Sequence, residues 1–324
     1  MIRKVHFKNF RCLRDVELTL EPLTVLVGPN SSGKTTVLTG LDFNDPKKFS
    51  EFDRWQRDAT LTTTIEWTYD TGHVSEFESP GRGRRSVINL AAQEGHVNYI
   101  TVKEAKRHLS QSFTLDLSAL RQQNMLAAAE MLSGSGDNLT NAFASLTRQH
   151  QGLVAAELCR LVPMFKDVDL QPIAQGHHRL RFQDRWKPSL WLAPNQVSDG
   201  TMLLMAFIVL RYQLRQVNLI TIEEPERALH PYLLDELIQM LRKMTTGEIG
   251  QMPVQIVLAT HSAELLDYVR PEEVRFLTRS QEDGSVQVQQ APSGTTDWRR
   301  VYEEYNQSLG SIWLSGGMGG VPGA

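Results

Sequence analysis

An α/β fold is predicted, with a mixed central sheet, an antiparallel β lobe beside it and a helical insert. Three observations predict it. The apolar run Val25 to Val27 leads straight into Gly28-Pro-Asn-Ser-Ser-Gly-Lys-Thr35, the spacing G-x-x-x-x-G-K-[ST], and then into the apolar positions Val37, Leu38 and Leu41 of a helix. Two further apolar runs, 218–224 and 255–259, end in the polar clusters Glu223-Glu224 and Thr260-His261-Ser262. Elsewhere, alternating stretches that read as strands flank one long stretch with helical spacing. Ligands of open α/β sheets sit at the C-terminal strand ends, so the three polar clusters are expected at one sheet edge.

The glycine-rich stretch has a definite chemistry. A triphosphate needs several backbone N–H donors pointing inward, and Gly28 and Gly33 let the backbone wrap closely. The helix that follows presents its N-terminus to the anion. Lys34 reaches the β and γ phosphates, and the Thr35 hydroxyl is a candidate ligand for Mg²⁺.

The remaining elements follow in order. Ile2, Val5 and Phe7, then Val16, Leu18 and Leu20, alternate as two edge strands joined by a turn at Asn9-Phe10-Arg11. The helix after Lys34 is expected to end near Asn44-Asp45-Pro46. Leu61 to Tyr69, Val74 to Phe77, Val87 to Leu90 and Val97 to Val102 read as an antiparallel meander, with a basic loop at 79–85. From Leu117 to Val162 the spacing turns helical. A first helix carries Met125, Leu126, Ala129 and Leu132, and Ser133-Gly134-Ser135-Gly136 breaks it. Asp137 or Asn138 is expected to cap a second helix with Leu139, Phe143 and Leu146, and a third runs from Leu153 to Leu161. Residues 168–193 return to strand alternation. Adjacent histidines on a strand face opposite ways, so His177-His178 is not read as a metal site. Val197-Ser198-Asp199-Gly200-Thr201 leads into the apolar helix Met202 to Leu214, and Trp298 to Tyr305 reads as a helix. The glycine-rich tail from Ser315 is expected to be disordered alone or docked on a partner.

Composition narrows the function. The chain has 324 residues, 41% hydrophobic, with a formal net charge of -3, so it is no polycation built for nucleic acid as a whole. Cys12 and Cys159 lie far apart without metal-type spacing and read as reduced thiols. The N-terminus has no signal-peptide core, and the longest apolar stretch, Met202 to Leu210, is too short to span a bilayer. A cytoplasmic protein without a membrane partner is expected.

Gly28 to Thr36, Ser198 to Thr201, Ile222 to Pro231 and Ala259 to Ala263 together resemble the ATP-binding-cassette (ABC) ATPases. Within them they resemble the branch of RecF, SMC and the overcoming-lysogenization-defect (OLD) ATPases. Ile-Glu-Glu-Pro-Glu, Leu-His-Pro and Thr-His-Ser fit the OLD-like pattern better than RecF, and Asn9-Phe10-Arg11 fits this branch. The resemblance implies one ABC-type P-loop ATPase head. It would comprise an N-terminal lobe at 1–102, a helical insert at 103–165 and a C-terminal lobe at 166–324. It implies ATP and Mg²⁺ as ligands, with Asn30, Ser31, Ser32, Gly33, Lys34, Thr35 and Thr36 around the phosphates. Glu223 would hold Mg²⁺ with Thr35, Glu224 would be the general base, and His261 would contact the γ-phosphate. Ser198 and the helix N-terminus at Gly200 would reach ATP bound to another subunit. Asp199 and Thr201 depart from the Leu-Ser-Gly-Gly-Gln of transporters, and an acid there must point away from phosphate. Arg11 is a candidate nucleotide contact. The Q-loop glutamine is not placed, with Gln111, Gln122 and Gln123 near its expected position.

Three functions compete. The first is an ATP-driven switch that closes as a homodimer or higher even oligomer, in anti-phage defence or DNA repair, with defence favoured. OLD proteins carry a C-terminal Toprim nuclease, and the residues after Arg270 are expected to be too few for one. The effector is therefore expected to be a separately encoded protein, a nuclease among the candidates. The second is a DNA-end binder using Arg82, Arg84, Arg85, Lys103, Lys106, Arg107, Arg179, Arg181 and Arg185. The third is a non-hydrolysing scaffold, which an intact Glu224 and His261 disfavour.

Overall fold

A computed structural model describes residues 1–43, 49–81, 87–91, 110–248 and 252–318. It divides into two compact units. The first comprises 1–112, 217–225 and 241–324, and the second comprises 113–216 and 226–240.

The first unit opens with β1 (Ile2–Phe10) and β2 (Leu13–Thr19), an antiparallel pair whose apolar side chains alternate into the core. Asn9 and Arg11 take left-handed φ of 53° and 51° in the turn between them. Next come β3 (Leu23–Val27), buried at all five positions, and α1 (Lys34–Leu41). Strands β4 (Thr63–Tyr69), β5 (Val74–Ser79) and β6 (Val87–Ala91) form the expected antiparallel meander. They complete a five-stranded sheet of order β2-β1-β4-β5-β6. The short strand β7 (Ser110–Phe113) ends this run of chain. The expected strand at Val97 to Val102, the helix stop at Asn44-Asp45-Pro46 and the basic side chains from Arg82 to Arg107 lie outside the described residues.

The second unit holds β8 (Asn124–Met125), α2 (Leu139–Ser145), α3 (Arg148–Leu161), β9 (Phe165–Pro172), β10 (His177–Asp184), β11 (Trp191–Leu192) and α4 (Asp199–Tyr212). The helix expected around Met125 to Leu132 does not form. Met125 and Leu126 are exposed instead of facing a core. Side chains of the next segment take over the backbone bonds that a helix would make. Asn141 Nδ2 donates to Met125 O at 3.0 Å, and Ser145 Oγ accepts from Ala129 N at 2.8 Å. Asn138 stands at the α2 N-cap, but its side chain accepts from Ser133 N and donates to Met131 O rather than capping the helix. The third expected helix is present as α3, begun one turn earlier by a Thr147 side-chain cap.

Chain order continues with β12 (Leu219–Glu223), α5 (Tyr232–Thr246), β13 (Gln255–Thr260), α6 (Ala263–Leu266), β14 (Val274–Arg279), β15 (Val286–Gln290), α7 (Thr296–Glu304) and α8 (Leu309–Leu314). A mixed six-stranded sheet of order β15-β14-β3-β13-β12-β7 is the frame of the first unit. Its inner strands β14, β3, β13 and β12 are parallel, and β15 runs antiparallel to β14. Parallel strands covered on both faces read as continuous apolar runs, which is why β3, β12 and β13 stand out in the sequence. Arg275 of β14, 1% exposed, ties this sheet to β2 by donating to Thr19 O, and burial lowers its pKa to about 10. Of the tail expected to be disordered alone or docked on a partner, residues 315–318 form a turn that closes α8, with Gly317 N bonded to Ile312 O and Met318 buried, and residues 319–324 lie outside the described residues.

Candidate functional site

Parallel register brings the three polar clusters of the first unit to one edge. Val27 of β3 lies opposite Thr260 of β13, and Ala259 lies opposite Glu223 of β12. The chain then leaves β3 into the glycine loop, β12 into Glu224 and β13 into His261. Glu224 N donates to Ala259 O at 2.8 Å, one ladder bond beyond the strand. At the same residue the backbone turns to a left-handed φ of 47°. A non-glycine residue held there stores roughly 1–3 kcal/mol, a strain that clusters at functional positions. The turn leaves the Glu224 carboxylate 3.4 Å from His261 Nδ1, with the two side chains 45% and 48% exposed. Both groups are therefore open to a ligand.

The loop is shaped by its neighbours. A Cβ added at Gly28 would lie 2.4 Å from Leu277 O of β14 and 2.7 Å from Ser32 Oγ. The glycine is thus required by strand-to-strand approach, a different reason from the phosphate wrapping anticipated for it. Gly33 is the N-cap of α1, with φ of 105°. Lys34 Nζ donates to Gly28 O at 2.7 Å and Pro29 O at 2.9 Å, which folds the cation back over the loop. The Ser32 hydroxyl is buried, with no hydrogen-bond partner among the described residues. Asn30, Ser31 and Thr35 are exposed, and Thr36 is half-buried, accepting from Cys12 Sγ at 3.5 Å. A glycine-lined loop on a helix N-terminus, with a lysine and exposed rim residues, fits a nucleotide phosphate chain. Thr35 and Glu223 are the residues that would hold Mg²⁺. One hydroxyl and one carboxylate suffice where phosphate oxygens and water complete its shell.

Arg11 does not stand free. Its Nε donates to Asp53 at 2.8 Å and its Nη1 to Thr39 of α1 at 3.5 Å. Burial pushes the Asp53 carboxyl up, but hydrogen bonds from Arg11 and Ser50 outweigh this and hold it below the usual range. Gln111 is buried within β7, whereas Gln122 and Gln123 are exposed in the second unit.

Ser198 and Gly200 belong to the second unit, at the start of α4. Ser198 Oγ caps that helix by accepting from Thr201 N at 3.2 Å. Asp199 is turned to Arg121, 2.8 Å away, which compensates its charge. A Cβ at Gly200 would meet Ala228 O at 2.6 Å, so close backbone approach requires this glycine too. One basic residue escaped the sequence reading. Arg279, at the end of β14, donates to Ser31 O at 2.9 Å. No strand was expected at Val274–Arg279, and nothing in that run points to residue 31.

Solved folds resemble this one. The SMC head domain from Thermotoga maritima matches with a TM-score of 0.58 at 13% identity, covering 89% of this chain and 98% of that one. The Smc head domain from Pyrococcus furiosus, solved with an extended coiled coil and bound to the C-terminal domain of ScpA, matches with a TM-score of 0.61 at 12% identity. That match covers 94% and 99%. At these identities the likeness is one of fold. Residues 1–155 match the family described as "AAA ATPase domain", and residues 161–267 match "AAA domain, putative AbiEii toxin, Type IV TA system". Each of these two stretches is thus similar to an AAA-type domain family. The OLD nuclease of Thermus scotoductus is 23% identical over 87% of this chain, and RecF of a Synechococcus strain is 31% identical over 26%. The chain spans 63% of the length of the former and 24% of the latter. Among the described residues no helix is long and apolar enough to cross a membrane.

Proposed function

We propose that this chain is an ATP-hydrolysing switch that closes as a head-to-tail dimer and controls a separately encoded effector in anti-phage defence. The observation that supports hydrolysis best is the Glu224–His261 pair, half-exposed at the ends of β12 and β13, of which β13 pairs with the glycine loop's own strand β3. Lys34 exchanges its two loop carbonyls for phosphate oxygens. Glu224 orients water and accepts its proton, and His261 holds the terminal phosphoryl group. Mg²⁺, when bound, neutralises phosphate charge. Phosphoryl transfer asks a protein mainly for positioning and charge stabilisation, and these residues supply both. Ser198 and the α4 N-terminus complete the site from a sister molecule, with Arg121 keeping Asp199 from repelling the phosphates. The AbiEii description of one matching family and the likeness to an OLD nuclease favour defence.

The likeness to RecF carries a second reading, a DNA-binding ATPase. Two of its candidate arginines are engaged locally: Arg179 on Gln171, and Arg181 on Asp169 and over Trp191. Phosphate release, light-scattering mass with ATP and Mg²⁺, and capture of co-eluting proteins test the first reading together. Turnover, an ATP-dependent doubling of mass and a stoichiometric partner are expected. Salt-dependent duplex binding that steepens with ATP, without a protein partner, would favour the second. A chain that binds ATP and never releases phosphate would refute hydrolysis.

A further inference from the structure

We infer that Arg279 is a positioning residue for nucleotide binding, holding the glycine loop in its binding shape from outside. This deepens the ATP site proposed above and presupposes it. Ser31, inside the loop, has a left-handed φ of 64°, a conformation that serine adopts only at a cost. The Arg279 Nε–H bonds the carbonyl of that same residue at 2.9 Å. Its Nη1 donates to Gly284 O in the loop between β14 and β15. That loop is itself tied down. Asp283 accepts from Ser285 N at 2.9 Å and Ser285 Oγ at 2.6 Å, and its other oxygen accepts from Arg14 of β2 at 2.7 Å. Val286 N then donates to Cys12 O at 3.1 Å. A chain of polar contacts thus runs from β2 through the hairpin loop to Arg279 and onto Ser31. On the other side of the loop, Ser32 N donates to Pro29 O at 3.2 Å. The peptide between Ser31 and Ser32 is therefore fixed at both its carbonyl and its N–H. The N–H groups that follow it are the ones a phosphate chain would meet.

Arg279 need not touch nucleotide to act, and rescue separates this role from general stabilisation. Arg279→Met keeps most of the aliphatic stem and removes the guanidinium. It is expected to weaken binding of a ribose-labelled fluorescent ATP analogue to the full chain roughly fivefold to tenfold, the scale of one charge-assisted hydrogen bond at the surface. The melting temperature should barely move, because Arg279 is exposed. Ser31→Gly placed on Arg279→Met removes the cost of the left-handed turn, so affinity should return most of the way towards wild type. Arg279→Met binding like wild type would overturn the inference, as would a double variant no tighter than Arg279→Met. A wild-type chain that binds no analogue would instead overturn the ATP site itself, and this inference with it.

Discussion

Gly28→Ala separates the structural need for glycine in the phosphate loop from the chemical one. The added methyl would sit 2.4 Å from the Leu277 carbonyl and 2.7 Å from Ser32 Oγ. Ordinary contacts begin at 3.4 Å, so something must move by about 1 Å. The serine hydroxyl can rotate away. The carbonyl cannot, because it belongs to β14, whose parallel ladder with β3 runs to Val27 opposite Phe276. Overpacking of this kind costs about 1–3 kcal/mol. At roughly 2–4 °C per kcal/mol for a unit of this size, the melting temperature should fall by about 2–12 °C. The loop must shift with it, and a displacement near 1 Å misdirects its N–H donors, so affinity for ATP should fall at least about tenfold. Differential scanning fluorimetry and a fluorescent-nucleotide titration measure the two effects. Gly152→Ala, within α3, is the control. Its Cβ enters open space and a helical backbone accepts alanine, so nucleotide affinity should hold. Gly28→Ala that melts and binds like wild type would refute the steric reasoning.

Further outcomes follow from single contacts. Lys34→Ala should weaken ATP binding by roughly 10–100-fold, since no other lysine stands in the loop, and isothermal titration would show it. Asp53→Asn breaks the bonds to Arg11 and Ser50 and should cost about 1–2 kcal/mol in urea unfolding at pH 7. The folded Asp53 pKa is lowered, so this contribution is full above its unfolded value near 4 and fades as pH falls through the folded value. The gap between wild type and Asp53→Asn should therefore narrow at pH 3. Arg121→Leu leaves Asp199 uncompensated and should weaken ATP-dependent dimerisation roughly tenfold, read by sedimentation.

Much of the first unit was legible because burial on two faces leaves an unbroken apolar record. Leu23–Val27, Leu219–Glu223 and Gln255–Thr260 announce themselves, and so do the polar residues where each run stops. Their shared edge follows from parallel pairing. What stayed hidden depends on distance or on side-chain competition. Ser31 and Arg279 are 248 positions apart, and no local pattern joins them. The left-handed turn at Glu224 leaves no trace in residue type, since glutamate rarely occupies it. Met125 to Leu132 has helical spacing, yet Asn138, Asn141 and Ser145 bind its backbone and the helix does not form. The reason for Gly28 was misplaced for a similar cause: the strand carrying Leu277 had not been foreseen.

The central claim is that the ends of β3, β12 and β13 form one hydrolytic centre. Steady-state phosphate release by Glu224→Gln, with ATP affinity measured on the same sample, tests it most directly. Affinity within about twofold of wild type and turnover reduced by roughly 10²–10⁴ are expected, because the amide keeps the shape and loses the base. Undiminished turnover with ATP bound would contradict the account.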